Sequence, residues 1–152
     1  MRKGRRVSFD PGSVRIGVAV SDIDGILASP RPALAVGDLS AVATIVDEIS
    51  PVEIVVGLPI ALDGREGSAA LRAREFAADV ARATSRPVRL VDERLSTVQA
   101  QRGLHDQGRS VRQSRDMVDS AAAAVILQHT LDAERRTGEP PGETAGQLEQ
   151  ER

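Results

Sequence analysis

Residues 7–21 read VSFDPGSVRIGVAVS. Residues 7–10 form a short apolar run stopped by Asp10-Pro11-Gly12-Ser13, where Pro and Gly hold the two central positions of a type II turn. Beyond the turn, Ile16, Val18 and Val20 alternate with Gly17, Ala19 and Ser21, the period of two that marks a strand. One face of that strand is bulky, and the other is small enough for a helix to approach closely. Residues 22–25 make a further turn and residues 26–29 a third strand, so the chain opens as an antiparallel three-strand meander.

From there, strand and helix alternate. Asp38 is the expected N-cap of a helix reaching Ile49, with Leu39, Val42, Ile45, Val46 and Ile49 spaced three and four apart and Pro51 ending it. Residues 53–57 (EIVVG) read as a buried strand. Residues 63–67 (DGREG) form a loop, and Ser68 caps a helix whose core side carries Ala69, Ala73, Phe76 and Val80 as far as about Thr84. Residues 88–91 give a fifth strand, followed by a helix over 96–105, a polar loop over 106–114 and a last helix over 115–135. The order βββαβαβαα describes an α/β protein with a mixed five-stranded sheet flanked by helices. Strands one, four and five must be parallel, because each crossover returns the chain to the same end of the sheet. Asp10, Gly57 with Leu58 and Pro59, and Asp92 with Glu93 therefore gather at the carboxyl edge, where open α/β sheets bind ligands.

Composition narrows the chemistry. A chain of 152 residues with 41% hydrophobic and 28% charged residues suits one domain, expected over residues 1–136. Residues 137–152 hold four Glu and one Arg and read as a disordered acidic tail, which turns the net charge of -2 into +1 for the body. With only Phe9 and Phe76, and neither Trp nor Tyr, there is no aromatic platform for stacking bases. The absence of Cys removes disulfides, cysteine-bound metals and thiol nucleophiles and is compatible with a cytoplasmic home. No apolar run reaches membrane-span length, so no membrane partner is expected.

Asp10, followed by Gly12, puts a carboxylate beside backbone that a phosphate or hydrated cation can approach; an ordinary turn-capping role fits it equally. Asp92 and Glu93 leave a strand in succession and point opposite ways, so one of them faces Asp10 and the other is structural. In the run DSAAAAVIL, Asp119 shares a helix face with Ala122, Ala123 and Ile126, a face small enough to press on the sheet and carry Asp119 inward. A buried carboxylate there needs a partner or a metal. Asp116, one turn earlier, suits a helix start. Arg109, Arg112 and Arg115, spaced by three in a Gly-initiated loop, suit phosphate oxygens, although most such runs are solvated loops. His105 and His129 have no partner motif and read as structural. Convergent carboxylates without Cys favour hard cations such as Mg²⁺ or Mn²⁺.

The segments FDPGSVRIGVAVSD, IVVGLP followed by DGREGS, VDERLST and VDSAAAAVILQ, in this order, resemble the YqgF/RuvX family of small RNase H-like nucleases, assigned as Holliday junction resolvases or as nucleases of pre-16S ribosomal RNA. The resemblance spans about residues 5–132. It implies an RNase H-like fold over residues 1–136 and a hydrolase using Mg²⁺ or Mn²⁺, with catalytic, metal-holding carboxylates at Asp10, Glu93 and Asp119. It decides for Glu93 over Asp92, and it implies a pair of ions bridged by Asp10. Arg15, Arg94, Arg109, Arg112 and Arg115 are the expected nucleic-acid contacts. The implied partners are precursor rRNA, with the small ribosomal subunit, or branched DNA. A four-way junction favours a homodimer and RNA trimming permits a monomer. Two readings compete. Nucleotide binding of the sugar-kinase or actin type needs two such lobes, and a ribosome-assembly or nucleic-acid-binding factor would use the carboxylates little.

Overall fold

A computed structural model describes residues 1–96 and 118–145. The meander forms as the alternation predicts. β1 (Arg6–Pro11) and β2 (Arg15–Ser21) pair antiparallel with Asp10 opposite Gly17, and β2 pairs antiparallel with β3 (Ala28–Ala35). The first turn differs from the type II expectation. Pro11 still pairs with Ile16, the Gly12 N–H donates to the Arg15 carbonyl at 2.9 Å, and Gly12 does not take the positive φ that a type II turn demands. Glycine is needed there for space, since a Cβ would lie 2.8 Å from the Arg15 carbonyl oxygen.

β3 starts later and runs further than residues 26–29. The Asp22 carboxylate accepts hydrogen bonds from the N–H groups of Ile26 (2.8 Å) and Leu27 (2.9 Å), holding that stretch in a turn. Pro30 and Pro32 argue against a strand in the interior of a sheet, but β3 is an edge strand, where a missing donor costs little.

β4 (Glu53–Leu58) runs parallel to β1, and β5 (Val88–Asp92) runs parallel to β4. α1 (Leu39–Ile49) is capped by the Asp38 side chain, which accepts from the Ala41 N–H at 3.1 Å, as expected. α2 (Ser68–Thr84) begins after Gly67 rather than after a Ser68 cap, and Ala70, not Ala69, belongs to its buried stripe with Ala73, Ala77 and Val80. A 3₁₀ turn, Glu93–Ser96, follows β5, and α3 (Ala121–Thr137) closes the body. The helix expected over 96–105 and the start of the one expected at 115 fall largely outside the described residues. A two-residue strand, β6 (Glu143–Thr144), pairs antiparallel with β5 and lies within the stretch read as a disordered tail. The sheet is thus six-stranded, in the order β3-β2-β1-β4-β5-β6, one strand more than the sequence suggests.

Among the described residues, two helices cover one face of the sheet and one covers the other. Val42 and Val46 of α1 and the alanine stripe of α2 pack on Val7, Phe9, Ile54 and Val56. On the far side, Ala123, Ile126, Leu127 and Leu131 of α3 pack on Ala19, Val55 and Val91. Among the described residues no helix is long and apolar enough to cross a membrane.

Candidate active site at the carboxyl edge of the sheet

Along β1 the side chains alternate, so Asp10 shares the α3 face with Ser8, whose hydroxyl donates to the Ala123 carbonyl at 2.8 Å. On that face, at the carboxyl ends of the strands, lie two glycines. A Cβ on Gly57 would come within 2.9 Å of both Glu93 Oε1 and Ile126 Cδ1. A Cβ on Gly17 would clash with the backbone carbonyl of Asp119. The glycines make room for the two acid-bearing segments: Glu93 lies over Gly57, and the lead into α3 lies over Gly17. Ser120 fixes that lead, its Oγ accepting the Val18 N–H at 2.9 Å.

Asp92 and Glu93 take different roles because the strand ends between them. Asp92 is held by Arg94, which reaches its carboxylate through Nη2 at 2.7 Å and through Nε, and whose N–H donates to it at 2.8 Å. The Arg94 guanidinium keeps the Asp92 carboxyl below its ordinary range. Glu93 enters the 3₁₀ turn and comes over the sheet to hydrogen-bond with Asp10. Burial, then the Asp10 hydrogen bond and charge, then the Asp92 charge push the Glu93 carboxyl up to about 9. The pairing therefore favours the protonated form of Glu93.

Of the expected site residues, Asp10 and Glu93 are brought together. The carboxylate of Asp119 lies 3.5 Å from Nε of Arg15, and both side chains are about two-fifths exposed. Among the described residues, no three Asp, Glu or His side chains gather closely enough to hold one ion. Arg94 is engaged with Asp92, Arg15 stands beside Asp119, and His129 lies partly buried in α3. Arg109, Arg112, Arg115, Asp116 and His105 lie outside the described residues. Sequence reading placed Gly57 at the carboxyl edge but missed its role of making room for Glu93.

The fold is that of a RuvC-like α/β protein. Thermus thermophilus RuvC in complex with a Holliday junction substrate matches 93% of this chain and 99% of its own, with a TM-score of 0.59 at 16% identity. A second T. thermophilus RuvC structure matches 92% and 99%, with a TM-score of 0.52 at 15% identity. At such identities the likeness is one of fold. The family model for RuvX, described as Holliday junction resolvase, matches residues 4–133, and the chain belongs to that family of nucleases. A Nocardioides protein named "Putative pre-16S rRNA nuclease" is 52% identical and covers 94% of this chain and 97% of its own. Proteins of the same name from Thermobifida fusca (49% identical, 94% and 96% covered) and Streptomyces coelicolor (47%, 94% and 89%) are similar over nearly their whole length.

Proposed function

We propose that this chain hydrolyses nucleic-acid phosphodiesters with the help of a divalent cation, Mg²⁺ or Mn²⁺, and that its substrate is the 5′ end of pre-16S rRNA. The observation that carries the reading is the placing of Glu93 over Gly57 against Asp10, two hard-oxygen donors at the carboxyl edge of a RuvC-like sheet. The donor set fits such a cation: a carboxyl pushed up to about 9 by burial and by other carboxylates is one that positive charge would restore to its ionised form. Asp10 and Glu93 would hold the ion, and Asp119 would join them in exchange for its contact with Arg15. A bound cation supplies charge neutralisation at the phosphate and an acidified water.

The chain's own residues do the positioning. Glycines 17 and 57 let the Asp119 and Glu93 segments lie close on the sheet, Ser120 anchors the segment that carries Asp119, and Arg94 keeps Asp92 out of the site. Arg15, once released from Asp119, can hold a phosphate beside the cleaved bond, with Arg94, Arg109, Arg112 and Arg115 as further phosphate contacts. Work on precursor rRNA would take place in the cytoplasm, on or near the small ribosomal subunit.

The family description favours a second reading, the cutting of four-way DNA junctions. Purified protein with Mg²⁺ or Mn²⁺, offered precursor rRNA, a four-way junction and linear duplex, with Asp10→Asn as control, tests both. Cleavage of the RNA, lost in Asp10→Asn, is expected. Cleavage of the junction alone moves the activity to DNA. Binding without cleavage of any substrate sinks the nuclease reading and leaves an assembly factor.

A further inference from the structure

Leu62 is 91% exposed, more than any other large hydrophobic side chain among the described residues. A solitary exposed leucine is ordinary on a protein surface; this one is carried by a closed turn on the same carboxyl edge of the sheet as the acid pair. It sits in the loop leaving β4, the strand that carries Gly57. There the Gly64 N–H donates to the Ala61 carbonyl at 2.8 Å and closes a turn with Leu62 at its tip. The Ala61 N–H donates to the Arg65 carbonyl at 2.9 Å, the Arg65 N–H to Asp63 Oδ1 at 3.0 Å, and Gly64 supplies the positive φ of 90° that the turn uses. Arg94, next to Glu93, reaches the Ala61 carbonyl at 3.5 Å and ties this loop to the site.

A second apolar tip lies on the same edge, in the turn between β1 and β2. Val14, 73% exposed, lies in the turn that follows Asp10's strand, and its carbonyl accepts the N–H of Val36, 50% exposed, at 3.2 Å. Aliphatic groups on ordered turns thus share this edge of the sheet with the carboxylates. The aromatic side chains have been spent elsewhere: Phe9 and Phe76 meet edge to face inside the core, with ring centroids 5.8 Å apart.

Resting on the nuclease reading above, we propose that Leu62 is a specificity residue that presses against nucleobases beside the cleaved phosphodiester, so that the site takes RNA with unpaired, unstacked nucleotides at the cut rather than continuous duplex. Aliphatic side chains wedge between bases where stacking is already broken, because opening an intact stack costs free energy that an unpaired nucleotide does not demand. Arg65, paired with Asp63, and Arg94, paired with Asp92, lie on the same loop and its neighbour, where a backbone phosphate would have to compete with those carboxylates.

The test uses the full chain and a short RNA duplex carrying one unpaired 2-aminopurine, beside its fully paired counterpart. Binding is read by fluorescence in EDTA and cleavage in Mn²⁺. Wild type should raise the fluorescence of the unpaired base. Leu62→Ala should lose that rise at saturating protein, Leu62→Met should restore it, and Leu71→Ala, an exposed leucine of α2, should behave as wild type. Wild type should cut the unpaired substrate roughly tenfold better than the duplex, and Leu62→Ala should lose most of that ratio. A fluorescence rise or a cleavage preference that persists in Leu62→Ala overturns the inference, as does failure to bind the RNA at all. A Leu62-dependent fluorescence rise without cleavage by wild type supports the contact and counts against the nuclease reading.

Discussion

The two ends of the sheet hold their acids in opposite ways. At the amino ends of β1 and β4, Glu53 and Glu134 are nearly inaccessible and are met by arginines. Arg2 reaches Glu134 at 2.6 Å and Glu53 at 3.1 Å, Arg6 reaches Glu134 at 2.9 Å, and Arg89 reaches Glu53 at 3.0 Å. Burial alone would raise Glu134, but the hydrogen bonds from Arg2 and the charges of Arg2 and Arg6 outweigh it and keep the carboxyl below its ordinary value. At the carboxyl ends, Glu93 meets Asp10, and its carboxyl rises instead. A carboxylate matched by guanidinium is a rivet, whereas one matched by another carboxylate is a place for a cation.

Removing one member from the matched end should have the largest effect. Glu134→Ala leaves Arg6, 1% exposed, without its carboxylate and should lower unfolding free energy by about 3–5 kcal/mol in urea titrations. A loss under about 1 kcal/mol would erase the contrast. At the other end the sign reverses. Glu93→Gln removes a group that must stay protonated when buried, so the metal-free protein should gain about 1–3 kcal/mol at pH 8 while nuclease activity disappears.

The same shift sets a pH dependence. Because the folded-state value of Glu93 lies above its unfolded one, its contribution is complete below about pH 4.5 and is lost as pH rises through about 9. Wild-type melting temperature without metal should fall over that window relative to Glu93→Gln, and parallel curves would contradict the assignment. The Glu134 carboxyl, held low, contributes above its unfolded value and loses that contribution in acid. A smaller effect is expected at Ser120. Ser120→Ala strips the Val18 N–H of its partner and should cost about 1–2 kcal/mol, with metal affinity weakened through the displaced Asp119.

The contrast also explains what could be read from the sequence. The alternation at 16–21, the three-four spacing in α1 and the parallel direction of β1, β4 and β5 are local patterns, and local patterns set these elements. Asp10 and the Asp92–Glu93 pair were legible because they lie where parallel strands end, and the family resemblance chose Glu93 of the pair. The arginine rivets were not: Arg2 and Arg6 look like a solvated basic lead until α3 brings Glu134 back from 128 residues beyond Arg6. β3 was cut short because its prolines signal a break unless the strand is known to be an edge. The acidic composition of 137–152 hid β6, whose Glu143 binds Arg74 at 2.7 Å, the same guanidinium that holds Glu66 beside the Leu62 loop. Gly57 became meaningful only once Glu93 was seen lying over it.

The most direct test of the unmatched end is Mn²⁺ titration by calorimetry at neutral pH with wild type, Asp10→Asn and Glu93→Gln, folding of each being checked by circular dichroism. Wild type should bind Mn²⁺ with release of a proton from Glu93, and each variant should lose at least about tenfold in affinity. Equal Mn²⁺ binding by all three proteins would contradict the account.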